Sequence, residues 1–228
     1  MTVRNIAFSR FANRKFIGCF VCASLITQPL WAHVIVNELE SMSRSNVAFL
    51  YLKLGYEHIV PLGFDHILFV LSLFLLSPKL KSVLWQATAF TVAHSITLGF
   101  AMYHIITPPS KIVEPLIALS ILYVALENIF SSRLKTSRIA VVFLFGLVHG
   151  LGFAGALGQL GLPKNDYLIS LVMFNAGVEL GQVSVILLAF LLIGKWFGNK
   201  SYYRKSFVVP ASILIAGFAG FLTIERLF

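Results

Sequence analysis

Histidines and carboxylates of this 228-residue chain fall inside its apolar runs instead of between them. Glu57-His58 leads into Gly63-Phe64-Asp65-His66, His94 lies within Thr91-Val92-Ala93-His94-Ser95-Ile96-Thr97, and His149 stands in Gly146-Leu147-Val148-His149-Gly150. Asn175, Glu179 and Gln182 punctuate a further apolar stretch. A charged side chain costs about 3 kcal/mol at the centre of a bilayer, so several ionisable groups together imply a shared task. On a helix, Asn175, Glu179 and Gln182 share one face, as do Thr91, His94 and Ser95. Imidazoles and carboxylates from separate helices make the nitrogen and oxygen donor set of a transition-metal site, with Asp65, His66, His94, His149 and Glu179 as its first candidates. His58, Asn175 and His33 are additional candidate ligands, and Ser95 and Gln182 can orient the ligands by hydrogen bonds from behind. One histidine and one glutamate on facing helices would be equally satisfied by a hydrogen bond to each other, but four such residues favour an ion.

The elements that carry these residues must be membrane helices. The composition is 58% hydrophobic and 12% charged, with a mean hydropathy of +0.86, and nine acidic residues cannot help coat a soluble domain of this length. The 18 basic residues are dispersed between apolar runs, which excludes a nucleic-acid partner and makes the lipid bilayer the first one. Arg4, Arg10, Arg14 and Lys15 precede the apolar stretch 16–26 and the small-residue end Leu30-Trp31-Ala32, the order of a signal peptide cleaved after residue 32. Both cysteines, Cys19 and Cys22, leave with that segment, so a metal site in the mature chain relies on nitrogen and oxygen, which suits nickel, cobalt, zinc or copper(II). Cleavage makes His33 the new N-terminus, where its α-amine and imidazole can chelate together.

The expected fold is all-α: a polytopic transmembrane bundle comprising a signal peptide (1–32), a short extracytoplasmic segment (33–60) and a six-helix domain (61–228). The spans are expected near 61–77, 82–105, 112–130, 138–160, 168–193 and 207–225. With the mature N-terminus outside, the inner breaks hold Lys79, Lys81, Arg133, Lys135, Arg138, Lys195, Lys200, Arg204 and Lys205, against Arg44, Lys53, Lys111, Lys164 and Arg226 outside. This places the chain in the inner (plasma) membrane. Counting depth at about 1.5 Å per residue puts His94, His149 and Glu179 near the midplane, and Asp65 and His66 either above them with His58 or, if the first span sits lower, beside them. One site or two remain open at this stage. Small residues at four-residue spacing, Gly146, Gly150, Ala154 and Gly158, with Gly177 and Gly181, suit close helix contact. Glu114 and Glu127, with Asn128, near the outer and inner ends of the third span, read either as a proton or ion relay extending toward the cytoplasm or as helix-end groups paired with Arg133 or Lys135.

Four ordered elements, Gly63-Phe64-Asp65-His66-Ile67-Leu68-Phe69, Thr91-Val92-Ala93-His94-Ser95-Ile96-Thr97-Leu98, Gly146-Leu147-Val148-His149-Gly150-Leu151-Gly152-Phe153 and Phe174-Asn175-Ala176-Gly177-Val178-Glu179-Leu180-Gly181-Gln182, make residues 55–195 similar to the HupE/UreJ family. The resemblance implies a nickel or cobalt permease or metal-delivery protein tied to hydrogenase or urease accessory systems, with metalloenzyme maturation proteins as partners. It carries over onto Asp65, His66, His94, His149 and Glu179. In the hydrogenase-linked members the first motif reads His, five residues, Asp-His; here six residues separate His58 from Asp65, so His58 stands outside the matched set. The competing reading is an intramembrane metal-dependent hydrolase, in which three ligands leave an open position for water and Glu179 or Asp65 acts as base. No HExxH or GxSxG element supports that chemistry, which weighs against an enzyme.

Overall fold

The computed structural model describes residues 42–160 and 166–228, and among them every regular element is helical. The proposed signal segment, Cys19, Cys22, His33 and Lys164 lie outside the described residues. The helices are α1 (Arg44–Ile59), α2 (Phe64–Leu76), α3 (Leu80–Met102), α4 (Ser110–Phe130), α5 (Arg138–Leu160), α6 (Tyr167–Ala189) and α7 (Val209–Leu227). A π-helical turn, Phe190–Gly194, continues α6 into Lys195–Phe197, and a second, Arg204–Val208, leads into α7.

Three helices, Ser110–Phe130, Tyr167–Phe197 and Arg204–Leu227, are long and apolar enough to cross a membrane, and α1 with α2 makes a fourth if the pair, bent by 69°, counts as one span. The expectation of six separate spans thus has three to four of them supported by length and composition. Helix α3 has the length, but Gln86, Thr88, Thr91, His94, Ser95 and Thr97 dilute its apolar character. Residues 44–59, expected to be a short extracytoplasmic segment, form a helix that buries Val47, Tyr51 and Ile59.

The helices pair closely, α3 with α5, α1 with α6 and α4 with α7, while the short α2 lies among α4, α6 and α7. Glycines set the first two contacts. A Cβ on Gly150 would overlap the His94 carbonyl and Thr97 Oγ1, and one on Gly177 would overlap the Leu52 carbonyl, so only glycine lets these backbones approach. Thr97 Oγ1 uses that proximity to donate to the Leu147 carbonyl at 2.7 Å. The result brings α3 and α6, the two helices with polar stripes, into contact with each other near the α1–α2 bend.

Candidate metal centre

Four imidazoles meet where that bend faces α3 and α5. Ring centroids of His58 and His66 are 4.7 Å apart, those of His66 and His149 4.9 Å, and those of His66 and His94 6.0 Å. One nitrogen from each of His58, His66 and His94 lies within 4.8 Å of the other two. Two nitrogens on one ion at about 2.1 Å are at most about 4.2 Å apart, so a small inward rotation of the rings completes a three-nitrogen site.

The hydrogen bonds around the rings fix which nitrogens are available. Asn175 donates its Nδ2 to the Leu171 carbonyl at 2.8 Å, which turns its Oδ1 toward His94 Nδ1 at 3.1 Å. His94 therefore donates from Nδ1 and keeps the lone pair on Nε2, an atom that is buried and has no hydrogen-bond partner. His58 Nε2 is buried and unpartnered in the same way. On the other side, Ser120 Oγ donates to the Ile117 carbonyl at 2.7 Å and accepts from His149 Nε2 at 2.9 Å. His149 then accepts at Nδ1 from His66 Nε2, 3.4 Å away, which leaves the His66 Nδ1 lone pair for an ion. Ligand imidazoles bound through one nitrogen and braced through the other are the usual arrangement at metal sites. Two orphaned ring nitrogens in a buried place are costly for the fold unless a cation or proton visits them.

The carboxylates stand apart. Asp65 accepts from Arg226 Nη2 at 2.8 Å, and Arg226 also reaches the Glu114 carbonyl at 3.3 Å. Glu179 accepts from Thr88 Oγ1 at 2.7 Å and from Thr91 Oγ1, and Thr91 also approaches Gln182 Oε1 at 3.4 Å. The pairs Asn175–His94 and Glu179–Thr91 thus form successive rungs of one seam between α3 and α6. Ser95 Oγ bonds to the carbonyl of Thr91 on its own helix at 2.6 Å. A cleft of about 530 Å³ connects Asp65, Glu114 and Arg226 at its polar rim to His58, His66 and His149 at its buried floor. Phe153 walls it, its ring centroid 3.9 Å from that of His58.

Three residues carry more than the sequence reading assigned them. His58, outside the motif match, joins the cluster because the chain bends between it and His66. Ser120, not singled out, holds His149; a serine facing the apolar interior is the only signal it offers. Arg138, counted among the inner flanking charges, is 1% exposed and its Nη1 donates to Glu127 Oε2 at 2.9 Å, so Glu127 pairs with it and not with Arg133 or Lys135. The clue was Gln86 and Asn128, uncharged polar residues within apolar runs that need a donor at that level.

Apolar helices of spanning length around a buried imidazole cluster define a membrane protein with a candidate transition-metal site. The chain belongs to the HupE / UreJ family, whose model matches residues 35–226. That membership points to a metal-related accessory or permease role. Comparison with curated proteins and with solved structures finds no match.

Proposed function

We propose that this protein is an integral-membrane permease or metal-delivery protein for a transition-metal ion of the nickel or cobalt type. The observation that carries the reading is the pair of buried, unpartnered nitrogens, His58 Nε2 and His94 Nε2, clustered with His66, where His58 and His66 line a cleft whose polar rim holds Asp65, Glu114 and Arg226. Imidazole nitrogens select borderline ions such as nickel, cobalt, zinc and copper over magnesium or calcium, which take oxygen. His58, His66 and His94 hold the cargo ion; His149 and Asn175 orient His66 and His94. Asp65 and Glu114 draw the cation into the cleft, where Arg226 holds Asp65 in place. Glu179, bonded to Thr88 and Thr91, steadies the α3–α6 seam that carries His94.

The basic end of the bundle faces the cytoplasm, so the cleft opens to the extracytoplasmic side of the inner membrane, and the six-span topology after a cleaved leader fits the same charge bias. A hydrolase would require a carboxylate base beside the ion, and Asp65, the carboxylate next to His66 on the cleft, is engaged by Arg226.

The test is elemental analysis of the detergent-purified protein after nickel or cobalt loading, paired with uptake by proteoliposomes. Wild type is expected to retain stoichiometric metal and to accumulate it, and His94→Ala to do neither. Metal retention unchanged in His94→Ala and His66→Ala would remove the site.

A further inference from the structure

Six residues beyond His66 on α2, about 9 Å along the helix, the interior turns from nitrogen to oxygen donors. Between the two levels lies one layer of aromatic rings: Phe69 is 5.0 Å from Phe90 and 6.2 Å from Phe145, centroid to centroid, and 5.3 Å from His149. Below it, four oxygens from three helices converge on the Arg138 guanidinium. They are Gln86 Oε1 at 3.1 Å from Nε, Glu127 Oε2 at 2.9 Å and Asn128 Oδ1 at 3.0 Å from Nη1, and the Ser72 carbonyl at 3.3 Å from Nη2. Both carboxamides are oriented in advance. Gln86 Nε2 is committed to the Ser82 carbonyl at 3.1 Å and Asn128 Nδ2 to the Ser72 carbonyl at 2.7 Å, so each must turn its oxygen toward the positive charge. Ser72 Oγ, on the same turn, is buried and has no hydrogen-bond partner.

One carboxylate and three neutral oxygens are also the donor types that a divalent ion takes from a protein. We propose that this oxygen cage is a second cation station on the exit path, and that the Arg138 guanidinium occupies it as a tethered stand-in which the cargo displaces on its way to the cytoplasm. The proposal rests on the permease reading and supplies what that reading lacks, a release step. Passage requires a site tight enough to capture and a following one weak enough to leave, and borderline ions bind oxygen less firmly than imidazole. While Arg138 fills the cage, the basic end of the bundle stays closed.

The experiment uses manganese(II), an oxygen-seeking ion whose free and bound forms are distinguished by electron paramagnetic resonance, on the purified full chain. Wild type is expected to retain nickel at the histidines and little manganese; Arg138→Met should retain close to one manganese per chain, and Glu127→Gln/Arg138→Met should lose it again. A folded Arg138→Met protein that retains no manganese overturns the cage. Two backgrounds separate the sites: His66→Ala/His94→Ala with Arg138 in place should lose nickel, whereas the same pair added to Arg138→Met should keep manganese in the cage and, by the order of divalent affinities, let nickel compete for it there, so failure of the histidine site and failure of the cage read out independently. If Arg138→Met does not fold, Ser72→Cys on a Cys19→Ser/Cys22→Ser background carries the test. In protein shown by elemental analysis to hold nickel, thiol labelling by a membrane-impermeant reagent from the basic side should rise several-fold over the metal-free sample, and unchanged labelling overturns the proposal.

Discussion

The histidine cluster and the arginine cage lie less than two helical turns apart on α2 and satisfy their polar groups in opposite ways. Around the histidines, the nitrogens that touch protein are braced by Asn175 and by the His149–Ser120 chain, while His58 Nε2 and His94 Nε2 have no partner. Around Arg138, four donor–acceptor contacts fill the space between three helices, and the charge is matched by Glu127. A cleft reaches the first site, whereas Arg138 is 1% exposed. The contrast teaches which part of the bundle is poised to receive and which is held shut: unpartnered ring nitrogens next to a cleft invite a cation, and a satisfied internal ion pair keeps its helices together.

The broadest way to break the contrast, because it strikes both sites at once, is to spoil the α3–α5 contact they share. Gly150→Leu forces a side chain into the His94 backbone, and overpacking of this kind costs about 1–3 kcal/mol or more; metal retention and the folded fraction in detergent should fall together. Removing one partner of a buried ion pair costs about 3–5 kcal/mol, so Arg138→Ala should lower the unfolding midpoint markedly, whereas His94→Ala should abolish metal retention with a much smaller shift in that midpoint. An equal stability loss in both variants would erase the distinction drawn between them. Asn175→Ala leaves the His94 ring unoriented and should weaken nickel binding about 10–100-fold, the range for loss of an outer partner, as measured by competition with a chelating dye; Asn175→Asp, which still accepts from Nδ1, should recover most of it. Because an ion and a proton compete for the same imidazole lone pairs, nickel affinity should fall as pH is lowered, with more than one proton taken up per ion released. Manganese bound to the cage in Arg138→Met competes only with protonation of Glu127 and should follow a shallower profile. The smallest effect is expected from Glu179→Gln, whose amide oxygen still accepts from one of Thr88 and Thr91 while its nitrogen can donate to the hydroxyl of the other: nickel retention should stay stoichiometric. Its loss would return Glu179 to the ligand set.

His66, His94 and His149 were legible as candidates because polar groups within apolar runs stand out in composition alone, and the fold brings their rings together. Asn175 was legible by its helical register with Glu179. Depth counting could not decide between one layer and two, since it assumes straight spans: α1 and α2 bend by 69° between His58 and His66, and that turn, not the rise per residue, puts their rings side by side. Arg138 illustrates the converse. At the end of an apolar run an arginine reads as a flanking charge, and only the packing of α2, α3 and α4 around it shows that its guanidinium points inward.

What the sequence determined by itself is the kind of molecule and the chemistry available to it. An apolar composition demands helices whose backbone groups are satisfied internally, glycines at four-residue spacing allow those helices to touch, and imidazoles set within apolar runs offer nitrogen donors that suit borderline ions. Tertiary structure decided which polar groups share a partner. Asp65 and Glu179 have the same carboxylate as any metal ligand, yet one closes on Arg226 and the other on Thr88 and Thr91, because hydrogen bonds and ion pairs depend on distances of a few ångströms between helices that are remote in the chain. That range is set by how α3, α5 and α6 pack around the bend in α1–α2, and spacing along a single helix does not encode it.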